Sequence, residues 1–109
     1  MDNLEIGLFQ LENLILTRSP FLFFNVGNVD MATLDKKLNE YLKTSILIHP
    51  DRLLDYLKRQ KVEKHFPLVL LCQDGSESRE SASYLEGKGF THVYVVEGGL
   101  QGLVREAQA

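Results

Sequence analysis

The chain has 109 residues, enough for one domain and too few for two, so we expect a single domain over residues 1–109. With 44% hydrophobic and 25% charged residues, its composition is that of a soluble globular protein rather than a disordered one. A net charge of −3 argues against a nucleic-acid partner, because phosphate binding needs a basic face. The apolar stretches are too short to span a bilayer and the N-terminus is acidic, so we expect no membrane association and no secretory signal.

The cysteine and histidine content limits the possible chemistry further. One cysteine and three widely separated histidines offer no set of metal ligands, and we predict neither a metal nor another cofactor. A lone cysteine cannot form an internal disulfide, which fits a reducing compartment. The predicted location is the cytoplasm.

Helical and strand patterns alternate along the chain. Apolar residues at helical spacing predict helices, and short continuous apolar runs predict strands. In chain order, the predicted elements are a helix over 9–16, a strand over 21–26, a helix over 31–42, a strand over 45–48, a helix capped by Asp51, a strand over 68–71, a helix ending at 87–89, a strand over 92–96 and a helix over 100–107. Such alternation requires crossover connections. The predicted fold class is therefore α/β, a mostly parallel sheet of four to five strands flanked by helices on both faces.

Cys72 stands at the end of the buried-type strand over 68–71 and before a polar turn that leads into a helix. Ligands of open parallel sheets bind beyond the carboxyl ends of the strands, where Asn25 and Glu97 also fall. A helix N-terminus favours an anion, so a thiol facing it is favoured as the nucleophilic thiolate. The alternative reading is a buried structural cysteine, the commoner fate of a lone cysteine. Asp74 and Glu77 match the spacing of a capping box for the helix that follows.

Several pieces after Phe66 carry a family resemblance. A predicted strand ends at Cys72, and a loop follows from Cys72 to Ser78. Further along, Gly89-Phe90 precedes the next strand, and Glu97-Gly98-Gly99 leads into the last helix. In this order the pieces resemble the single-domain rhodanese (sulfurtransferase-like) family, so the fold is expected to be rhodanese-like. The first half matches more loosely: 21–27 is similar to the strand that ends in Asp-Val-Arg, and 45–49 to an Ala-Ile-Asn-Ile-Pro segment.

The resemblance implies a role for Cys72. The cysteine of such enzymes takes a sulfane sulfur from a donor such as thiosulfate, becomes a persulfide, and passes the sulfur to a thiol acceptor, either a small molecule or a protein. Backbone N–H groups of the loop cradle the negative persulfide. The implied substrate-binding residues are Gln73, Asp74, Gly75, Ser76, Glu77 and Ser78, with the two serine hydroxyls as further donors.

The loop departs from the family pattern in its charges. The family usually carries arginine directly after the cysteine and again five residues after it, where this chain has Gln73 and Glu77. The Asp-Val-Arg of the first half is replaced by residues 25–27, Asn-Val-Gly. Asp74 adds a second carboxylate, and the one arginine nearby, Arg79, is expected to point outward from its helix. Because carboxylates repel a dianion, we predict poor use of thiosulfate.

Two functions remain open, and a third is disfavoured. The first is a sulfurtransferase or sulfur carrier that forms a persulfide on Cys72. The second is a catalytically inactive rhodanese-fold module in protein interaction or regulation, which the missing arginines favour. A cysteine phosphatase or arsenate reductase would need Cys-x5-Arg, and Ser78 occupies the arginine position. His49 is interpreted as a surface residue and Tyr84 as a packing residue.

Overall fold

The computed structural model describes residues 4–29, 36, 39–40 and 43–108. Within them the elements are β1 (Leu4–Ile6), α1 (Leu8–Leu16), β2 (Leu22–Asn25), β3 (Ile46–Leu47), α2 (Pro50–Arg59), β4 (Leu68–Leu71), α3 (Ser76–Gly87), β5 (Val93–Val96) and α4 (Gly99–Gln108). The helix predicted over 31–42 lies largely outside the described residues. No helix in the described part of the chain is long and apolar enough to cross a membrane.

The five strands form one sheet in the order β1-β5-β4-β2-β3, and every pair is parallel. The predicted α/β class and strand number are thus confirmed. Asn25 pairs with Leu71 across β2 and β4, and Leu70 pairs with Val95 across β4 and β5. The carboxyl ends of these three neighbouring strands therefore meet at one edge of the sheet.

Helices cover both faces of the sheet, as predicted. Alternate residues of β4 point to opposite faces. Leu68 and Leu70 pack in a core with α2 and α3, whereas Val69 and Leu71 pack in a second core with α1 and α4. All four residues of β4 are buried, which accounts for its continuous apolar sequence. The helix residues that complete the cores are Leu53, Leu57, Ala82 and Leu85 on one face and Leu11, Leu100 and Leu103 on the other.

The edge strand β1 is absent from the sequence-based prediction. It has three residues, and only Ile6 is buried, so it lacks an apolar run that would identify it. Its place in the sheet comes from pairing with β5, where Leu4 lies opposite Tyr94 and Ile6 opposite Val96.

The predicted cap of α2 is wrong by two residues. The N-cap is His49, not Asp51, and the His49 Nδ1 accepts a hydrogen bond of 3.2 Å from the Asp51 backbone N–H. Pro50 occupies the first helical position, where its fixed φ suits a helix and its missing N–H leaves no donor unsatisfied. Asp51 lies in the first turn, where its charge is favoured by the helix dipole.

Candidate active site

Cys72 directly follows β4, and α3 begins four residues later, at Ser76, as the sequence predicts. Two backbone N–H groups donate to the Cys72 Sγ, Gly75 at 3.0 Å and Ser78 at 3.4 Å. The Gly75 amide can turn toward the sulfur because Gly75 has φ of +97°, a left-handed conformation that other residues rarely adopt. The sulfur therefore lies in a small nest of donors at a helix N-terminus, which suits a negative charge.

The other side of the loop is fixed by α4. The Cys72 carbonyl accepts a hydrogen bond of 2.8 Å from the Leu100 N–H, and the Gln73 carbonyl accepts one of 3.1 Å from Gln101. Gly99 permits this approach, because a Cβ there would contact the Cys72 carbonyl oxygen and lie 2.7 Å from the Asp74 nitrogen. The Cys72 loop is consequently held between the N-termini of two helices.

Cys72 is also closely packed from the side of β2. A Cβ at Gly27 would lie 2.6 Å from the Cys72 Cβ, so only glycine fits there without displacement. The Asn25 side chain, also buried, fixes the chain after β2, since its Oδ1 accepts from the Val29 N–H at 3.1 Å. The exposed fraction of Cys72 is 0%, and the residue belongs to the core cluster of α2 and α3.

Asp74 does not form the predicted capping box. The residue that caps α3 is Gly75, and the Asp74 Oδ1 instead accepts hydrogen bonds from the Ser76 N–H at 3.0 Å and the Ser76 hydroxyl at 2.7 Å. These two bonds, with a smaller contribution from the positive charge of Arg79, hold the pKa of the Asp74 carboxyl below its ordinary value. The Ser76 hydroxyl is therefore engaged with Asp74, and the Asp74 side chain is exposed on the outside of the loop.

Ser78 differs from Ser76 in that its hydroxyl is free. The residue is fully buried, and its Oγ has no hydrogen-bond partner in the described structure. Its backbone amide is one of the two that contact the Cys72 sulfur. Of the loop residues named from the sequence, Gly75 and Ser78 contact the sulfur directly, whereas Gln73 and Glu77 are exposed.

Glu77 lines a cavity of about 550 Å³ beside the loop, which we call the acidic cavity. One wall is formed by residues of α3 at helical spacing, and the other by the start of α2. Its lining residues are His49, Pro50, Asp51, Glu77, Glu80, Ser81 and Tyr84. The interpretation of His49 as a surface residue is confirmed, whereas Tyr84 is 54% exposed and is not a packing residue. The sequence interpretation did not place the two residues together. The spacing of positions 77, 80, 81 and 84 marks one helix face in the sequence, and this signal could have identified it.

The Arg79 side chain is exposed, as predicted, and it also contacts the edge strand β1. Its side chain is half exposed, and its guanidinium lies 3.7 Å from the Glu5 carboxylate of β1. A Cβ at Gly75 would be 3.1 Å from the same guanidinium nitrogen. Arg79 thus reaches across the back of the Cys72 loop and is not among the residues that line the acidic cavity.

The described residues contain no group of three or more histidine, cysteine, aspartate or glutamate side chains arranged to hold a metal ion.

The sequence model of the rhodanese-like domain matches residues 14–106. The chain belongs to the rhodanese-like family. Thiosulfate sulfurtransferase GlpE of Pseudomonas savastanoi pv. phaseolicola is 30% identical to this chain over 73 residues, which are 67% of each protein. The GlpE protein of Pseudomonas syringae pv. syringae is 32% identical over 63 residues, and that alignment spans 58% of each chain. The family is thus one that includes sulfurtransferases.

Solved structures agree with the fold. A rhodanese-like domain protein from Staphylococcus aureus is similar with a TM-score of 0.66 and 24% identity, over 91% of this chain and 89% of that one. A rhodanese homologue from Thermus thermophilus has a TM-score of 0.62 and 22% identity, over 91% and 99% of the two chains. The predicted rhodanese-like fold is therefore confirmed.

Proposed function

We propose that the protein is a sulfurtransferase or sulfur carrier that holds a sulfane sulfur as a persulfide on Cys72. The observation that carries the proposal is the pair of amides that donate to the Cys72 Sγ, at 3.0 Å from Gly75 and 3.4 Å from Ser78. Such donors stabilise a negative sulfur before and after loading. The similarity to proteins named thiosulfate sulfurtransferase supports the same chemistry.

The proposed reaction has two displacement steps. The Cys72 thiolate attacks the outer sulfur of the donor, and a new S–S bond forms. The bond that joined this sulfur to the rest of the donor breaks, and its electron pair stays on the rest of the donor, which leaves. A thiolate acceptor then attacks the outer sulfur of the persulfide and regenerates the Cys72 thiolate. We infer that the hydroxyl of Ser78, which is buried and has no hydrogen-bond partner among the described residues, donates a third hydrogen bond to the loaded sulfur. A reducing cytoplasm would keep the free thiol available.

A non-catalytic role in protein interaction or regulation is the second candidate. The observation that favours it is the burial of Cys72, which exposes none of its surface. A cysteine that never becomes accessible would act only as a packing residue. Under this alternative the Cys72 loop would be a structural turn, and the surface around it would serve for contact.

Intact-mass measurement separates the two candidates. The chain is incubated with thiosulfate, and separately with a low-molecular-weight persulfide, and then with a reductant. We expect a reducible gain of one sulfur atom in the wild type and none in Cys72→Ser. No gain with any sulfane-sulfur donor in a folded wild-type chain would favour the non-catalytic role. A gain that persists in Cys72→Ser would show that the sulfur is held elsewhere.

A further inference from the structure

The surroundings of the buried Cys72 sulfur are fixed in different ways on different sides. On the side of α3, the amides of Gly75 and Ser78 donate to the sulfur, and on the side of α4 the Leu100 N–H donates to the Cys72 carbonyl. On the side of β2, Gly27 packs against Cys72, and the described structure contains no hydrogen bond between these two residues. The β2 side can therefore move without breaking a hydrogen bond to Cys72.

Residues 25–29, which we call the Asn25 turn, cross the edge of the sheet beside Cys72. Val26 is buried in the core of α2 and α3, which also contains Cys72, whereas Val29 is buried in the core of α1 and α4. The chain therefore passes from one face of the sheet to the other between these two residues. Gly27 lies in this passage, where a Cβ would be 2.6 Å from the Cys72 Cβ.

The side chain of Asn25 closes this turn. Its Oδ1 accepts a hydrogen bond of 3.1 Å from the Val29 N–H, and its Nδ2 donates one of 3.4 Å to the Val29 carbonyl. The backbone of Asn25 is itself fixed, since Asn25 pairs with Leu71 in the sheet and its carbonyl accepts from the Ile48 N–H at 3.1 Å. The carboxamide therefore ties the far end of the turn to a strand of the sheet.

Asn28 indicates that the closed turn is imposed on the backbone. Its φ of +49° is left-handed, a conformation that costs energy for residues other than glycine, although asparagine tolerates it better than most. Because Asn28 is exposed, packing of its own side chain does not explain this conformation. The two hydrogen bonds between Asn25 and Val29 do explain it, because they close the turn around Asn28.

Two departures from the family pattern meet in this turn. Asn25 stands where the family usually has aspartate, and Gly27 stands where it usually has arginine. An ionised aspartate could accept from the Val29 N–H but could not donate to the Val29 carbonyl. A side chain at position 27 would collide with Cys72. Both residues therefore suit a turn that packs directly on the cysteine.

We propose that Asn25 is a positioning residue that controls access to Cys72: it holds the Asn25 turn against Cys72, and movement of this turn away from the Cys72 loop is the opening that admits reagents to the sulfur. Such a movement breaks the two bonds to Val29, whereas moving the Cys72 loop itself would break its bonds to the N-termini of two helices. Asn25 acts through Gly27 and does not touch the sulfur donor. The use of this opening for sulfur transfer rests on the proposed function, whereas the control of access does not.

Hydrogen exchange in the wild-type chain tests which side moves. The Val29 amide reports opening of the Asn25 turn, and the Leu100 amide reports separation of α4 from the Cys72 loop. The rate of Cys72 alkylation by iodoacetamide, relative to that of the unfolded chain at the same pH, gives the population with an exposed sulfur. We expect this population to agree within about threefold with that from Val29 exchange, and the Leu100 amide to be protected at least about tenfold more strongly. Alkylation that does not follow Val29 exchange, or that follows Leu100 exchange equally well, would overturn the proposal.

Asn25→Leu removes both hydrogen bonds and keeps the branching of the side chain. We expect the alkylation rate of Cys72 to rise about fivefold to thirtyfold, because two hydrogen bonds no longer oppose the opening. The rate should depend little on urea below the unfolding transition, since a local opening exposes little surface. Exchange of the Val29 amide should accelerate, and exchange of the Leu100 amide should not.

The matched control is Leu57→Val, which trims a buried side chain in the last turn of α2, a helix that begins beside the acidic cavity and runs away from it. This change lowers the stability of the whole chain without altering the Asn25 turn. It should leave the alkylation rate unchanged in the absence of urea. An unchanged rate in folded Asn25→Leu, or equal rises in the two variants, would overturn the proposal.

The same variants distinguish this proposal from the proposed function, because alkylation and hydrogen exchange need no sulfur transfer. Faster alkylation in Asn25→Leu, with no persulfide formed in either protein, would uphold the role of Asn25 and refute the proposed function. Persulfide formation at the same rate in the wild type and in Asn25→Leu would refute the role of Asn25 alone.

Discussion

The Cys72 sulfur and its surroundings illustrate what a single residue contributes to the site. The sequence identifies Gly75 as one of the loop residues, but the direction of its amide follows from φ of +97° and the start of α3 at Ser76. The same holds for Asp74, whose carboxylate could have faced the sulfur and instead bonds to Ser76. Sequence identified the residues of the loop, whereas the orientation of each polar group depended on competition among local hydrogen bonds.

The charge of Glu77 should limit the use of thiosulfate. Glu77→Arg would replace a repulsion with an attraction at the exposed rim of the site. We expect thiosulfate-dependent turnover to rise about fivefold to thirtyfold, which corresponds to about 1–2 kcal/mol after solvent screening. Glu77→Gln should give a smaller rise. An unchanged rate in the arginine variant would mean that loop charge is not limiting, and a rise that survives Cys72→Ser would implicate another nucleophile.

The carboxyl of Asp74 should titrate below the ordinary range, and Ser76 should be the reason. Ser76→Ala removes the hydroxyl donor at 2.7 Å but keeps the amide donor at 3.0 Å, so the pKa of Asp74 should rise toward its ordinary value. Side-chain NMR titration measures it directly. The pKa of the Asp74 carboxyl is lower in the folded chain than in the unfolded chain. The carboxylate therefore stabilises the folded state at pH values above the pKa of the unfolded chain, and this stabilisation is lost as the pH falls through the pKa of the folded chain. An identical titration in both proteins would contradict the assignment.

At the scale of elements, the apolar runs were predicted well, including the two-residue strand β3, whereas the edge strand β1 was not. The segment 68–71 is buried on both faces, which leaves an apolar run that can be recognised. β1 has one buried residue, Ile6, and takes its structure from pairing with β5. The predicted cap of α2 was wrong because the ring of His49 accepts a backbone hydrogen bond, as an aspartate side chain can. Residue type alone does not indicate this role for a histidine.

The contact between α4 and the Cys72 loop should be sensitive to one methyl group. Gly99→Ala places a Cβ against the Cys72 carbonyl and requires a non-glycine residue at φ of +62°. We expect a loss of about 1–3 kcal/mol in the free energy of unfolding, together with shifts of the Gly75 and Ser78 amide signals.

Gly87→Ala is the matched control for this substitution. Gly87 ends α3, and among the described residues a Cβ there would meet no atom within 4 Å apart from its chain neighbours and its own helix backbone. Alanine should therefore be neutral or stabilise by up to about 1 kcal/mol. Chemical denaturation and amide NMR measure both variants. Equal stability of the two proteins would show that α4 does not constrain the loop.

The whole molecule has two cores that share one sheet. Leu57 lies in the core of α2 and α3, and Leu103 in the core of α1 and α4. Both are fully buried. Because the residues of β4 alternate between the two cores, disruption of either core would also disrupt the packing of the sheet. The pattern of apolar residues predicted this arrangement, since each helix carries one buried stripe.

Truncation in either core should therefore destabilise the whole molecule. Leu57→Ala and Leu103→Ala should each lower the free energy of unfolding by about 2–5 kcal/mol, within a single cooperative transition. Leu47→Ala, at a residue that is 64% exposed on edge strand β3, should change it by less than about 0.5 kcal/mol. The chain has no tryptophan, so tyrosine fluorescence and circular dichroism follow the unfolding. Two separate transitions would contradict the shared-sheet argument.

The complete burial of Cys72 links reactions that are otherwise unrelated. Sulfur loading, alkylation by iodoacetamide and oxidation by peroxide all need a reagent to reach the Cys72 sulfur. Because the exposed fraction of Cys72 is 0%, each reaction requires the same opening of the loop. If reclosing is fast, the three rate constants share one factor, the population of the open state. A substitution that loosens the loop without touching the sulfur should then multiply all three by the same number, so their ratios would stay constant while their values change.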